Sequence, residues 1–128
     1  MSRNLLYGAI TEKIIGAAFA VHNTLGAGLT EKTYQRALAV RLRGMGLFVE
    51  EEKQEHLFFD AMEVGFQRLD LVVERKIVLE TKAVKKISVE YPKKLLSTLR
   101  NTPYQLGLII NFGPSVEVQR VINSTQNK

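Results

Sequence analysis

Cysteine is absent from the 128 residues. That excludes a disulfide framework and thiolate-ligated zinc, and it fits a reducing compartment. Long hydrophobic runs are missing too. The longest, IIGAAFAV at 14–21, falls far short of the ~20 residues that a spanning helix needs. Glu12 and Lys13 stand directly before it, and helical apolar spacing continues on both sides. It therefore reads as part of an internal helix rather than the core of a secretion signal. No membrane partner is expected, and the protein is expected to be cytoplasmic. There is no repeat, low-complexity tract or linker-like stretch, so residues 1–128 read as a single domain. Hydrophobic residues make up 45% and charged ones 24%, enough of the first to bury one core. The formal charge of +5 mildly favours an anionic partner, and its placement matters more than its size.

Apolar periodicity sets out the elements. Tyr7, Ile10, Ile14, Ala17, Ala18, Val21 and Leu25 recur at helical intervals and predict a helix over roughly 4–24. After LGAG (25–28), Thr30 is a suitable N-cap for a second helix. Its buried stripe would be Tyr34, Ala37, Leu38, Leu42 and Met45, with Gly44 and Gly46 near its end. The period then changes to two. Extended segments are expected near 47–58, 63–74, 76–84, 104–112 and 115–122, with FGPS (112–115) as the turn of a closing hairpin. Before the last two strands, YPKKLLSTLRNTP places Pro92 at a helix start, Leu95, Leu96 and Leu99 on one face, and Pro103 as the stop. The expected order is ααβββαββ, with a frayed end at STQNK.

DLVVERKIVLETK (70–82) raises an electrostatic question. With a short loop centred on Arg75, Asp70 faces Glu80, Arg68 faces Lys82 and Val72 faces Val78. Leu69, Leu71, Val73, Ile77, Leu79 and Thr81 then form the opposite, mostly apolar face. A slip of one residue would destroy that separation. Two carboxylates facing each other across strands repel. Diagonal ion pairs, Arg68 with Glu80 and Asp70 with Lys82, would relieve them as an ordinary solvated face, each contributing ~0–1 kcal/mol. A divalent cation held between them would do so as well. A lysine two residues beyond the second carboxylate points the same way and can stabilise charge on a phosphate.

Asp70 followed by Glu80-Thr81-Lys82 resembles the signature of the PD-(D/E)xK nuclease superfamily. More narrowly, GLTEKTY places Gly28, Glu31 and Tyr34 at the spacing of the GxxExxY family within it. VHNTLGAG, RLDLVV, ETKAV and LGLIINFG follow in matching order, so the resemblance runs from about residue 8 to 122. It implies an α/β fold with a restriction-endonuclease-like αβββαβ core and a mixed central sheet, to which this chain adds an N-terminal helix and a C-terminal strand. It implies Mg²⁺ (or Mn²⁺) held by Asp70, Glu80, the Thr81 carbonyl and Glu31, with Lys82 as the catalytic lysine, and hydrolysis of DNA or, failing that, RNA. Taken by itself, Glu31 reads first as an acid favoured by the helix dipole, and only the resemblance brings a functional role level with that. Tyr34 is equally a packing residue, and His22, on a family-like position, reads as packing or capping rather than catalytic. Related nucleases often carry Gln-x-x-x-Tyr on the helix after the lysine, and here Lys94 and Thr98 occupy those positions. The same fold without catalysis, binding nucleic acid or a protein, is the alternative reading.

Beyond Lys82 lie Lys85, Lys86, Lys93, Lys94 and Arg100 against one acid, Glu90. Such a stretch supplies salt-dependent phosphate contacts, and it serves equally as a solvated helix face. No aromatic residues interleave with it, although Tyr91 is close, so a single-strand groove is not expected. Glu50, Glu51 and Glu52 form an acidic run, expected away from substrate or at a partner surface. A core this small has little surface to spare for gripping a duplex, so a homodimer or partner protein is expected.

Overall fold

The computed structural model describes residues 6–124. The elements run α1 (Gly8–Leu25), α2 (Glu31–Gly44), β1 (Val49–Phe59), β2 (Met62–Val73), β3 (Ile77–Lys82), α3 (Glu90–Arg100), β4 (Leu106–Phe112) and β5 (Val116–Ile122). This is the expected order. The first residues of the expected leading helix, and all of the expected frayed end except Ser124, lie outside the described residues.

The five strands form one sheet in sequence order, antiparallel except for the parallel β3–β4 pair. That parallel pair needs a crossover, and α3 supplies it. α1 and α2 cover one face of the sheet: Ile14, Ala18, Tyr34 and Leu38 pack with Leu71, Val73, Leu79, Leu108 and Phe112. α3 covers the other, where Leu95 and Leu99 pack with Leu69, Val72, Val78 and Ile109. LGLIINF is therefore buried along its whole length, the pattern of a strand covered on both faces. α3 approaches so closely that a Cβ on Gly107 would lie 2.8 Å from Leu95 Cδ2.

Local chemistry accounts for the element ends. The Thr30 hydroxyl accepts from Thr33 N–H and caps α2 as expected. Buried along α2 are Tyr34, Gln35, Leu38, Ala39 and Leu42. Met45, expected inside, is exposed. α3 begins at Glu90, so Pro92 is its third residue, still within the first turn whose N–H groups have no helical partner.

The structure corrects the two-face assignment of the β2–β3 hairpin. Pairing follows the expected register at Leu71↔Leu79, Val72↔Val78 and Val73↔Ile77, and there it stops. Asp70 and Glu80 do not continue the ladder, and neither do Arg68 and Lys82. Leu69 lies in the α3-side cluster while Leu71 and Val73 lie in the α1/α2-side cluster, so β2 turns over at Asp70. On β1, Glu52 falls between the pairs Glu51↔Leu71 and Lys53↔Leu69 and takes φ 51°. Nor is the expected charged face a solvated one, because Val72 and Val78 are fully buried beneath α3.

Candidate active site

The opening of the β2–β3 ladder builds the site. At the next step the Thr81 N–H would donate to a β2 carbonyl, but it donates to Asp70 Oδ2 at 2.9 Å. The Thr81 hydroxyl donates to the same oxygen at 3.1 Å. The Asp70 side chain thus stands in for backbone and turns β2 away from β3. In an extended strand the N–H and C=O of one residue leave on the same side. The Thr81 carbonyl, freed from the ladder, therefore faces the same gap, and Asp70 Oδ1 receives no hydrogen bond from the described residues.

Helix α2 holds this kink from behind. Gln35 is buried, and its Nε2 donates to the Asp70 carbonyl at 3.4 Å and to Glu52 Oε2 at 3.3 Å. Glu52 also meets Lys32 and lies 3.8 Å from Arg68, while Glu51 takes Arg36 and Arg43 at 2.7 and 2.6 Å. Glu51 and Glu52 of the acidic run are thereby engaged by α2, while Glu50 Oε1 is buried without a hydrogen-bond partner among the described residues. The entry to α2 is fixed by Tyr34, whose hydroxyl donates to the Gly26 carbonyl and accepts from Leu29 N–H at 3.2 Å. The Tyr34 ring stacks on Phe112 at 4.6 Å with planes 2° apart. His22 lies against both rings and its Nε2 meets the Gly113 carbonyl at 2.9 Å, a packing residue as expected. Together these contacts set Glu31 at the start of α2, half-buried, where its carboxylate feels Lys82 and Asp70.

Charge at the site is unbalanced. Burial, and after it the Asp70 charge, push the Glu80 carboxyl up to about 7, with Lys82, then Lys94, offsetting part of the effect. Burial also raises the Glu31 carboxyl above the usual carboxylate range, against the pull of Lys82. Neither of the diagonal ion pairs that would relieve the acids forms. Lys82 Nζ lies 4.0 Å from Glu80 Oε2 on its own strand. It also lies 4.5 Å from the centre of the Tyr91 ring, over its face. Among the described residues, no group of three or more Asp, Glu or His is gathered in ligating proximity. The donors present at the gap are hard oxygens, the kind Mg²⁺ and Mn²⁺ take, and the half-buried pair of Asp70 and Glu80 lacks a full counter-charge. The residues fit a divalent cation.

Beside the gap, a cleft of about 260 Å³ runs between β2 and α3, lined by Gln67, Arg68, Leu69, Glu80, Lys82, Tyr91, Lys94, Leu95 and Thr98. Of the basic residues singled out beyond β3, only Lys94 lines it. Lys85, Lys86, Lys93 and Arg100 are exposed elsewhere on the loop and helix that follow. Lys94 and Thr98, the departures from Gln-x-x-x-Tyr, both face the cleft, and Tyr91 joins them one turn earlier. Two contributors escape a pattern search. Gln35 follows the GLTEKTY motif, and only its place in the buried stripe would mark it. Asn111 is a lone amide in an apolar strand. Its side chain accepts from Val84 N–H and donates to the Val84 carbonyl, both at 2.9 Å, which pins the chain just beyond Lys82.

No curated protein sequence matches the chain at a significant level. Among solved structures, the crystal structure of SSO0001 matches with a TM-score of 0.58 at 15% identity, over 94% of this chain and 61% of that one. That likeness speaks for the fold, and the chain spans less than two thirds of that structure's length. No helix among the described residues is long and apolar enough to cross a membrane. The profile of the PD-(D/E)XK nuclease superfamily matches residues 8–121, and with that the chain belongs to this superfamily.

Proposed function

We propose that this chain, as one nuclease-like domain, hydrolyses phosphodiester bonds of DNA, or less readily RNA, with Mg²⁺ or Mn²⁺ at the gap between β2 and β3. The observation that carries this reading is the broken ladder. A side chain replaces backbone pairing at Asp70, and two carboxylates and a backbone carbonyl are left beside a cleft that holds Lys82. Asp70 Oδ1, Glu80 and the Thr81 carbonyl would hold the cation, with Glu31 reaching it from α2. Bound there, a divalent ion lowers the pKa of water and neutralises phosphoryl charge.

The chain's own groups do the rest. The Tyr91 ring holds the Lys82 ammonium by a cation–π contact, aimed beside Glu80, where it can donate to a phosphoryl oxygen as negative charge builds. Arg68 and Lys94 add positive potential along the cleft, and the exposed lysines beyond it attract the backbone at longer range. The test is cleavage of plasmid and single-stranded DNA with Mg²⁺ or Mn²⁺, comparing wild type with Glu80→Ala and Lys82→Ala. Loss of cleavage in both variants supports the reading, and equal behaviour of all three overturns it.

Lys94 and Thr98 favour a second reading, a nuclease fold that binds nucleic acid without cutting it. In that case binding survives Glu80→Ala and weakens only when Lys93 and Lys94 are replaced.

A further inference from the structure

Among the described residues, strands β1 and β2 pair beyond Asp70 only with each other; past Leu69, which packs under α3, and Glu55, which accepts from the Tyr104 hydroxyl at 2.9 Å, they extend as an arm up to about 20 Å long. Its outer part carries five large apolar side chains in the open: Phe58, Phe59, Met62, Val64 and Phe66 are 53–70% exposed. Phe58 pairs with Glu63 and Phe59 with Met62, so the five lie on both faces of the hairpin end, and that end is apolar on either side in a way that isolated exposed residues are not. From Leu57 to Phe66 the charges are Asp60 and Glu63, with no lysine or arginine. That sign repels phosphates, so the arm end is ill suited to nucleic acid on a chain of net charge +5. Two arm ends set against each other would likewise bring Asp60 and Glu63 onto their own copies.

The same chain carries a second uncovered apolar surface. A groove of about 300 Å³ between α1 and α2 is lined by Ala20, Val21, Leu25, Ala37 and Val40, with Arg41 beside them. Val40 is 55% exposed, and neighbouring Phe19 and Leu29 are open as well. α2 carries Lys32, Arg36, Arg41 and Arg43 against Glu31 alone. Three of those cations are spent on Glu51 and Glu52, but Arg41 has no ion pair among the described residues. One surface is apolar and acidic and projects. The other is apolar and basic and concave.

We propose that the arm end of one copy docks in the α1/α2 groove of a second copy, and that the exchange is reciprocal about a two-fold axis. A reciprocal contact covers both surfaces on both chains and closes the assembly at two. Asp60 then meets Arg41 of the neighbouring copy at the rim of each contact, while Glu63 lies 2.9 Å from His56 Nδ1 within its own hairpin. The proposal is independent of the metal and of catalysis.

The absence of native cysteine makes the test direct. Phe59→Cys and Val40→Cys proteins are prepared separately, mixed, and oxidised under native conditions. The expected result is a disulfide-linked dimer from the mixture, in several-fold excess over either protein oxidised alone. Sedimentation should show a wild-type dimer whose dissociation constant rises about tenfold or more with Phe58→Asp or with Val40→Asp. Both changes are on exposed positions, and circular dichroism checks that the fold is kept. A wild-type monomer at all concentrations overturns the proposal. So does efficient self-linking of the Phe59→Cys protein without the Val40→Cys partner, which would place the arms against each other.

Discussion

At the residue scale the site turns on Glu80. A buried carboxyl raised to about 7 keeps its proton in the folded protein at pH values where the unfolded chain, near 4.5, has lost it. Between those values the folded state binds more protons, so without metal the stability falls as pH rises from about 4.5 through 7. The whole effect is on the order of 3 kcal/mol. Denaturant melts of metal-free protein at pH 5.5 and 8 should show the decline, and Glu80→Gln should flatten it and leave the variant the more stable of the two at pH 8. An unchanged pH profile in that variant would mean Glu80 is not the buried acid. Tyr91 makes a second case. Tyr91→Leu should lower the cleavage rate about tenfold by releasing Lys82, while Tyr91→Phe, which keeps the ring face, should retain most of it. If phenylalanine fares no better than leucine, the ring is not what orients the lysine.

At the element scale, two close fits hold the site's frame. Gly107→Ala drives a Cβ into Leu95 and should cost about 1–3 kcal/mol in a urea melt, much of it regained with Leu95→Ala. Asn111→Leu leaves the Val84 N–H and carbonyl without their partner and should cost about 2 kcal/mol, with faster amide exchange at Val84 than in wild type. Much of the frame is legible in the sequence: the order of eight elements, the Thr30 cap, and the register of β2 on β3 from Leu71 to Val73. Periodicity sees these because each is a local or nearest-strand property. The opening at Asp70 was not legible, because a register count assumes that the ladder continues. There a carboxylate competes with a carbonyl for one N–H, and the contest is decided by Gln35 and Glu52, which only the tertiary fold brings to the spot. For the same reason Val72 and Val78 looked like members of a solvated charged face. Their cover, α3, comes from the far side of a crossover.

At the scale of the whole molecule the layout separates tasks. The cleft and its cations lie where β2 leaves the sheet, while the apolar arm end and the α1/α2 groove lie apart from it. A pair of chains joined arm to groove would carry two clefts, and loss of pairing should weaken duplex binding more than cleavage of short single strands. That difference can be read by comparing Val40→Asp with wild type on both substrates. The cation site proposed at the broken ladder of Asp70 does not depend on any pairing of chains. The most direct measurement is calorimetric titration of Mn²⁺ into metal-free protein near pH 6.5, repeated in buffers of different ionisation enthalpy. The expected result is saturable binding with release of a large part of one proton per ion as Glu80 ionises, and its loss in Glu80→Gln and Asp70→Asn. Binding that survives both substitutions unchanged, or no binding by the wild-type protein, would contradict it.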